Sequence, residues 1–213
     1  MSAPLNTRRL AVVSAGLSQP SSTRLLAGRL AAATRDALAD LGVDTGVDVI
    51  ELRDYATEIG NSLLTGFPST KLRPVVETVA EADGLIATTP IFLASYSGLF
   101  KSFFDTLEPD LLVGKPVLIG ATGGTERHSL ALEHALRPMF VYLKSIVVPT
   151  AVYAASSDWG SSAEGARALD QRIARAAGEL ADLVSKDRAP RRDDPFADPT
   201  PFAELLGGTG EDT

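Results

Sequence analysis

Three stretches of this sequence contain the residue types that bind phosphate groups and flat ring systems. The first loop, residues 14–24, carries five hydroxyl side chains and an arginine directly before a helical pattern. Hydroxyls donate hydrogen bonds, and a helix N-terminus adds unpaired N–H groups and a partial positive charge, so the combination suits a phosphate. The alternative is that Ser21, Ser22 or Thr23 simply caps the helix, which is the commoner role for any single hydroxyl. Five hydroxyls in one loop favour the phosphate.

The second loop, residues 88–98, combines apolar and hydrogen-bonding side chains. A planar ring system needs an apolar wall, close approach of the backbone and a few hydrogen bonds. The side chains that could form the wall are Pro90, Ile91 and Phe92, and those that could form hydrogen bonds are Ser95, Tyr96 and Ser97. The alternative is an ordinary loop with a buried phenylalanine, in which Ser97 caps the next helix.

The third loop, residues 121–128, contains Gly123 and Gly124 and ends at His128. Paired glycines let backbone amides approach a ligand closely, although turns use such pairs constantly. His128 could act as an acid or contact a nucleotide, but a packing or capping role in the first helical turn is the commoner one. His134 lies six residues further on, so the two histidines do not form a metal pair on one helix face.

Composition excludes several other kinds of site. The chain has no cysteine, which rules out disulfides, thiolate metal sites, iron–sulfur clusters and cysteine nucleophiles. Its net charge of −7 disfavours nucleic acid as a partner, because phosphate backbones require a basic surface. No apolar run approaches the roughly 20 residues of a membrane span, and no secretory signal follows Met1. We therefore expect a cytoplasmic protein without a metal centre.

The elements that would position the three loops alternate between short apolar strands and helical patterns. Strands are predicted at residues 10–13, 47–52, 85–88 and 116–119, with a fifth inside residues 145–154. Helices are predicted over residues 26–41, 71–83, 97–107, 128–143 and 164–185 from the spacing of their apolar positions. Pro138 should kink or split the fourth of these helices, because proline has no N–H to donate.

Five apolar strands separated by helices predict an α/β fold, a doubly wound parallel sheet of the flavodoxin-like order 2-1-3-4-5. The three loops then follow the first, third and fourth strands, at the edge where such sheets bind ligands. The loops contain neither the GxGxxG nor the GxxxxGK[ST] pattern, so a dinucleotide-binding fold and a P-loop are not supported. We expect one domain over residues 1–185 and a proline- and charge-rich tail over 186–213, of which residues 201–206 are apolar enough to dock.

Together the three loops resemble the NADPH-dependent FMN reductases of flavodoxin-like fold, which serve two-component flavin monooxygenases. The matching stretches are residues 18–24, residues 89–101, and residues 122–124 with His128. The resemblance covers roughly residues 8 to 185, and its middle stretch is the most specific.

The resemblance implies an FMN site, with the first loop at the phosphate, the second along the ring and ribityl chain, and the third at the ring edge. The residues implied are Ser18, Gln19, Ser21, Ser22, Thr23, Arg24, Pro90, Ile91, Phe92, Ser95, Tyr96, Ser97, Thr122, Gly123, Gly124 and His128. It also implies hydride transfer from NADPH or NADH to FMN. The cofactors carry that chemistry, so no catalytic side chain is nominated.

Three rival functions remain open. The chain could be an FMN-containing quinone, azo-dye or metal-oxyanion reductase, a flavodoxin-type electron carrier that is not an enzyme, or a binding module without flavin.

The resemblance implies a homodimer or homotetramer that hands reduced flavin to a monooxygenase. Independently, the helix over residues 128–143 carries more apolar surface than one sheet face needs, which favours an interface between subunits. Its apolar residues are Leu132, Leu136, Met139, Phe140, Tyr142 and Leu143.

Overall fold

The structure, a computed structural model, describes residues 7–159 and 163–186. Within these ranges seven strands form one sheet with the main order β2-β1-β3-β5-β6. Strand β4 adds to β3 in antiparallel fashion, and β7 pairs with β5 in parallel, beyond the end of β6. The strands are β1 (Thr7–Ser14), β2 (Asp44–Glu51), β3 (Gly84–Phe92), β4 (Ser95–Tyr96), β5 (Pro116–Gly123), β6 (Ile146–Val147) and β7 (Val152–Ala155).

Helices cover both faces of the sheet. They are α1 (Ser22–Asp40), α2 (Ala56–Thr65), α3 (Arg73–Glu81), α4 (Gly98–Asp105), α5 (Arg137–Tyr142) and α6 (Ala163–Val184). Short 3₁₀ helices span Leu52–Tyr55, Glu126–His128 and Ser156–Trp159, and a π-helical turn spans Leu132–Leu136. None of the helices in the described part of the chain is both long and apolar enough to cross a bilayer.

Two hydrophobic clusters, one on each face, follow from alternation along the strands. Along β1, Val13 joins the cluster beneath helices α2 to α5, whereas Val12 joins the cluster beneath α1 and α6. Val12 lies opposite Val49 of β2 and Ile86 of β3 in the parallel register, so the central strands are apolar on both sides. The flavodoxin-like, doubly wound class is therefore confirmed.

The number of strands predicted, five, is corrected to seven among the described residues. The segment expected to hold one fifth strand holds β6 and β7, which are separated at Pro149, where no N–H is available to the ladder. The order 2-1-3-4-5 thus becomes 2-1-3-5-6, with β7 completing the edge. Helix α2 was not predicted at all.

The helix predicted over residues 128–143 is split, as Pro138 required. Its middle is the π-helical turn, and a regular α-helix begins only at Arg137. The π turn ends next to the proline, where the regular i→i−4 hydrogen bond is lost. The prediction of the tail over residues 186–213, with its docking segment 201–206, lies outside the described residues except for Lys186.

Candidate functional site

A cleft of ≈ 360 Å³ opens at the carboxyl ends of β1, β3, β5 and β7. This is the edge where the strand order reverses between β1 and β3, the usual ligand position in open parallel sheets. Its volume lies in the range of small-molecule sites, about 300–1,000 Å³. Its lining consists of Gly16, Leu17, Ser18, Ser21, Ser22, Thr23, Pro90, Ile91, Phe92, Thr122, Gly123, Gly124, Ser156 and Trp159. All three predicted loops therefore contribute to one cleft.

The first loop divides its hydroxyls between the fold and the cleft. Ser21 is the N-cap of α1, and its Oγ accepts a hydrogen bond from the Arg24 N–H at 3.1 Å. Ser22 is the first helical residue, is exposed, and lines the cleft. The capping interpretation is thus correct for Ser21, while Ser22 stands beside the N-terminus of a 19-residue helix. That position carries the partial positive charge of the helix dipole.

Gly16 lets the first loop fold back on the helix it precedes. A Cβ at this position would overlap the Ser21 Oγ and would lie 3.1 Å from the Ser21 Cβ and 3.2 Å from the Thr23 Cβ. The chain just before Gly16 is fixed to the sheet by a bond from the Ala15 N–H to the Thr88 carbonyl at 2.9 Å. The cap and the close approach of the backbone therefore both depend on glycine here.

A buried hydrogen bond ties the first loop to the third. The Oγ1 atoms of Thr23 and Thr122 are 2.7 Å apart, and both side chains are buried. Thr23 lies in the first turn of α1 and Thr122 lies near the end of β5. One hydroxyl donates and the other accepts, so this bond fixes the spacing of two cleft walls.

Tyr153 of the neighbouring strand β7 holds the third loop in place. The Tyr153 hydroxyl donates to the Thr125 carbonyl at 2.7 Å, and a Cβ on Gly123 would overlap that hydroxyl. Burial, reinforced by the nearby Asp158 carboxylate, raises the pKa of Tyr153 above its ordinary value. The phenol therefore stays protonated and able to donate. Gly123 is needed for packing, whereas a Cβ on Gly124 would meet open space, and Gly124 lines the cleft.

The second loop supplies the apolar wall and ends in a tight hairpin. Pro90, Ile91 and Phe92 line the cleft, and the Phe92 side chain remains 48% exposed. The hairpin pairs Phe92 with Ser95, and both residues at its tip, Leu93 and Ala94, have positive φ. Leu93 at the tip is completely exposed.

Ser95, Tyr96 and Ser97 do not line this cleft in the described residues. Ser97 is buried and caps α4 by accepting from the Phe100 N–H at 3.2 Å, while its own N–H donates to the Thr89 Oγ1 at 3.0 Å. The capping interpretation therefore accounts for Ser97 fully. Tyr96 packs on Phe100 at a centroid distance of 6.0 Å and belongs to the edge of the core.

Gln19, Arg24 and His128 also lie away from the cleft. Gln19 and Arg24 line a separate depression of ≈ 510 Å³ on the outer side of the first loop. His128 ends the exposed 3₁₀ turn after β5 and is not among the cleft-lining residues. Among the described residues, no group of three or more histidine or acidic side chains is placed to hold a metal ion.

Sequence reasoning missed several contributors. Ser156 and Trp159 line the cleft from the 3₁₀ helix after β7, and no local pattern marks them as ligand-binding. Trp159 is the single tryptophan of the chain, and the Arg29 guanidinium lies 5.8 Å from its ring centroid. Arg53, which follows β2, was also missed, although its guanidinium contacts the first loop. The strand order could have indicated Arg53, because β2 ends beside β1, with Glu51 opposite Ser14, so that the residues after β2 lie near the first loop.

The electrostatic character of the cleft fits a ligand with a phosphate at one end and a ring at the other. The lining supplied by the described residues has no charged side chain, and therefore no carboxylate that would repel a phosphate. Hydroxyls and a helix N-terminus line the same cleft as the apolar residues 90–92 and the glycine pair. The residues present therefore fit FMN, provided that its phosphate faces Ser22.

Comparison with known proteins gives the family. Residues 8–160 match the model of the NADPH-dependent FMN reductase family. An FMN reductase (NADPH) of Pseudomonas aeruginosa is 37% identical over 82% of this chain and 91% of its own length. The NADH-dependent FMN reductase SfnE of Pseudomonas putida is 35% identical over 90% of this chain and 99% of its own length.

Solved structures agree with these relatives. An oxidoreductase from Corynebacterium diphtheriae superposes with a TM-score of 0.82 at 46% identity, covering 86% of this chain and all of the other. The apo form of an NADH:FMN oxidoreductase superposes with a TM-score of 0.69 at 30% identity, covering 86% of this chain and 92% of the other. The resemblance inferred from the three loops is thereby confirmed, and the chain belongs to the NADPH-dependent FMN reductase family.

Proposed function

We propose that the cleft binds FMN and that the chain is an NAD(P)H:FMN oxidoreductase in which the nicotinamide is brought against the flavin ring. One observation carries this proposal: a hydroxyl-bearing helix N-terminus and an apolar wall line a single cleft that has no charged side chain among its described lining residues. FMN would place its phosphate at Ser22 and the start of α1. Its ring would lie along residues 90–92, with the backbone of Gly124 at the ring edge.

When bound, FMN supplies the chemistry by accepting hydride at N5 from C4 of the reduced nicotinamide. The residues of this chain bind and orient. The Thr23–Thr122 bond sets the distance between the phosphate end and the ring end, and Tyr153 holds the third loop in place. The cleft lining supplied by the described residues contains no titratable side chain, which fits a hydride step without a protein acid or base.

The hydride donor in this proposal is NADPH or NADH, as the names of the relatives indicate for those proteins. The test is spectroscopic. Purified protein should bind FMN in a titration and should accelerate the loss of the visible absorption of FMN when NADPH or NADH is added under anaerobic conditions. Protein that does not take up FMN would disprove the proposal, and so would protein that binds FMN but leaves the nucleotide oxidation rate at background. The second outcome would favour a flavodoxin-type electron carrier.

The final electron acceptor separates the proposal from its enzymatic rival. A relative from Staphylococcus haemolyticus, named as an FMN-dependent NADPH-azoreductase, is 37% identical over 47% of this chain. We propose that free FMN is the acceptor here and that reduced flavin is released to a separate monooxygenase. Reduced flavin should then pass through an ultrafiltration membrane that retains the protein. Faster turnover on quinones or azo dyes than on FMN would favour the rival.

We also propose that the protein is a homodimer or homotetramer in the cytoplasm. The apolar surface predicted for residues 128–143 supports an interface only in part, because Leu132, Leu136 and Phe140 pack into the protein's own core. The described surface nevertheless leaves Tyr142 86% exposed and Leu93 completely exposed. Exposed apolar side chains mark an interface where they form a contiguous patch, so the proposal requires these two residues to lie within such patches. A light-scattering mass equal to the 22.4 kDa monomer at micromolar concentration would refute it.

For the chain's organisation we propose a flavodoxin-like domain over residues 1–185 with a separable tail over 186–213. In support, the last described helix, α6, ends at Val184. A chain truncated after Ser185 should remain soluble and should melt within a few degrees of the full chain. Loss of soluble protein would contradict the separation.

A further inference from the structure

We infer that Arg53 is a positioning residue that holds the first loop in the conformation required by the flavin phosphate. The inference rests on the proposed function, because it assigns the loop a phosphate to bind. Arg53 follows β2 and lies behind the first loop, in the depression on its outer side and not in the cleft. It therefore acts on a ligand only through the loop.

The Arg53 guanidinium holds two consecutive residues of the loop at once. One of its terminal nitrogens, Nη1, donates to the Ser18 carbonyl at 3.0 Å. In the amide orientation that satisfies both groups, the Gln19 side-chain oxygen accepts from Nη2 at 2.6 Å and from Nη1 at 3.0 Å. These bonds fix the chain immediately before Ser21, which caps α1, and Ser22, which begins the helix; both serines line the cleft.

Acidic neighbours keep this cation in place and offset its charge. Glu51 forms ion pairs with both arginines: its Oε2 lies 2.6 Å from the Arg53 Nη2, and its Oε1 lies 3.5 Å from the Arg24 Nε. Asp54 lies 3.6 Å from the Arg53 Nε. Two guanidinium groups thus face two carboxylates, so the cluster has little net charge to offer a phosphate. Arg53 consequently works through geometry, and the planar fork of arginine is what two simultaneous acceptors require.

The experiment measures dissociation constants for FMN and for riboflavin, which lacks the phosphate, in the parent and in Arg53→Met. Loss of hydrogen bonds from a charged donor should weaken FMN binding by roughly tenfold, while riboflavin binding should stay within about twofold. Arg35→Met is the matched control. Arg35 is exposed on α1 and pairs only with its neighbour Asp36 in the described contacts, so this variant removes the same charge without touching the loop.

Arg53→Lys separates geometry from charge. Lysine keeps the positive charge but cannot hold Ser18 and Gln19 with one rigid fork, so FMN binding should remain weakened. Recovery of parental FMN affinity in Arg53→Lys would overturn the positioning role in favour of plain attraction. Equal loss of FMN and riboflavin, accompanied by a lower melting temperature, would also overturn it, because a merely structural arginine has no reason to distinguish the two flavins.

Gln19→Ala keeps the inference testable if the Arg53 variants fold poorly, because Gln19 is exposed. It should weaken FMN binding by about threefold and leave riboflavin unaffected. In the double variant with Arg53→Met, the two losses should fail to add, since both remove the same contact. Fully additive losses would contradict the inference. A parent that binds no FMN would instead refute the proposed function, whereas unchanged FMN affinity in Arg53→Met would refute this inference alone.

Discussion

Replacing Ser22 by aspartate places a negative charge where the flavin phosphate is proposed to lie. Two like charges about 4 Å apart repel by about 4 kcal/mol at an effective dielectric of about 20, and by about 1 kcal/mol in bulk water. Because the Ser22 side chain is exposed at the cleft, the penalty should fall between these limits. FMN binding should therefore weaken between roughly fivefold and a thousandfold.

The fold itself should tolerate this substitution. Ser21, and not Ser22, provides the N-cap of α1, so the cap survives. An acidic residue in the first turn also interacts favourably with the helix dipole, by about 0.3–1 kcal/mol. The melting temperature without flavin should thus be no lower than that of the parent. A global effect on folding would reveal itself as a lower melting temperature.

The assay compares FMN and riboflavin in Ser22→Asp, in the neutral variant Ser22→Asn and in the parent. Asparagine has nearly the same size as aspartate and keeps donor groups, so it should lose far less FMN affinity. Riboflavin should bind all three proteins similarly because it has no phosphate to repel. Equal FMN affinity in Ser22→Asp and the parent would move the phosphate away from Ser22 and weaken the assignment of the whole first loop.

Three further predictions concern the cleft walls. Thr23→Val leaves the buried Thr122 hydroxyl without its partner and should lower the free energy of unfolding by about 1–3 kcal/mol in urea titrations; adding Thr122→Val should recover part of this loss. Emission of the single tryptophan, Trp159, should fall on FMN addition, and unchanged emission during a titration that shows binding would place the flavin elsewhere. Because burial raises the pKa of Tyr153, the contribution of its protonated phenol to the free energy of unfolding should be fully present below pH 10 and lost as pH rises above that value. The free energy of unfolding should therefore fall less steeply with alkaline pH in Tyr153→Phe than in the parent. The same slope in both proteins would refute this prediction.

The parallel core of the fold could be predicted because apolar strands and amphipathic helices have characteristic residue patterns within short stretches of sequence. Helix α2 could not, since only Ile59 and Ser62 are buried along it and its Leu64 is 88% exposed. Such a helix lacks the apolar stripe that a periodicity argument requires. The break between β6 and β7 occurs at Pro149. It could not be predicted, because the effect of a proline on strand pairing depends on which strand lies next to it in the sheet.

The candidate site shows the same division between local and tertiary information. The stretches around Ser22, Ile91 and Gly124 were predicted because a binding loop carries its chemistry in consecutive residues. Trp159 lines the cleft and Arg53 contacts the first loop only because the fold brings together segments that are distant in sequence. The spacing of residues along the chain does not reveal such contacts. Individual roles within a loop were equally hidden, because a cap and a ligand-binding serine have the same side chain.

The neutral lining of the cleft has a consequence for how long a flavin stays there. Hydroxyl and N–H dipoles recognise a phosphate by direction, but they bring no fixed counter-charge into the described lining. The partial charge of the helix N-terminus is smaller than a full counter-charge, so its attraction for a phosphate, which salt also screens, is weaker than that of an ion pair. This lining also leaves dissociation unhindered by a buried ion pair. The proposed release of reduced flavin to a monooxygenase requires a short residence time, and a cleft lined in this way is suited to it.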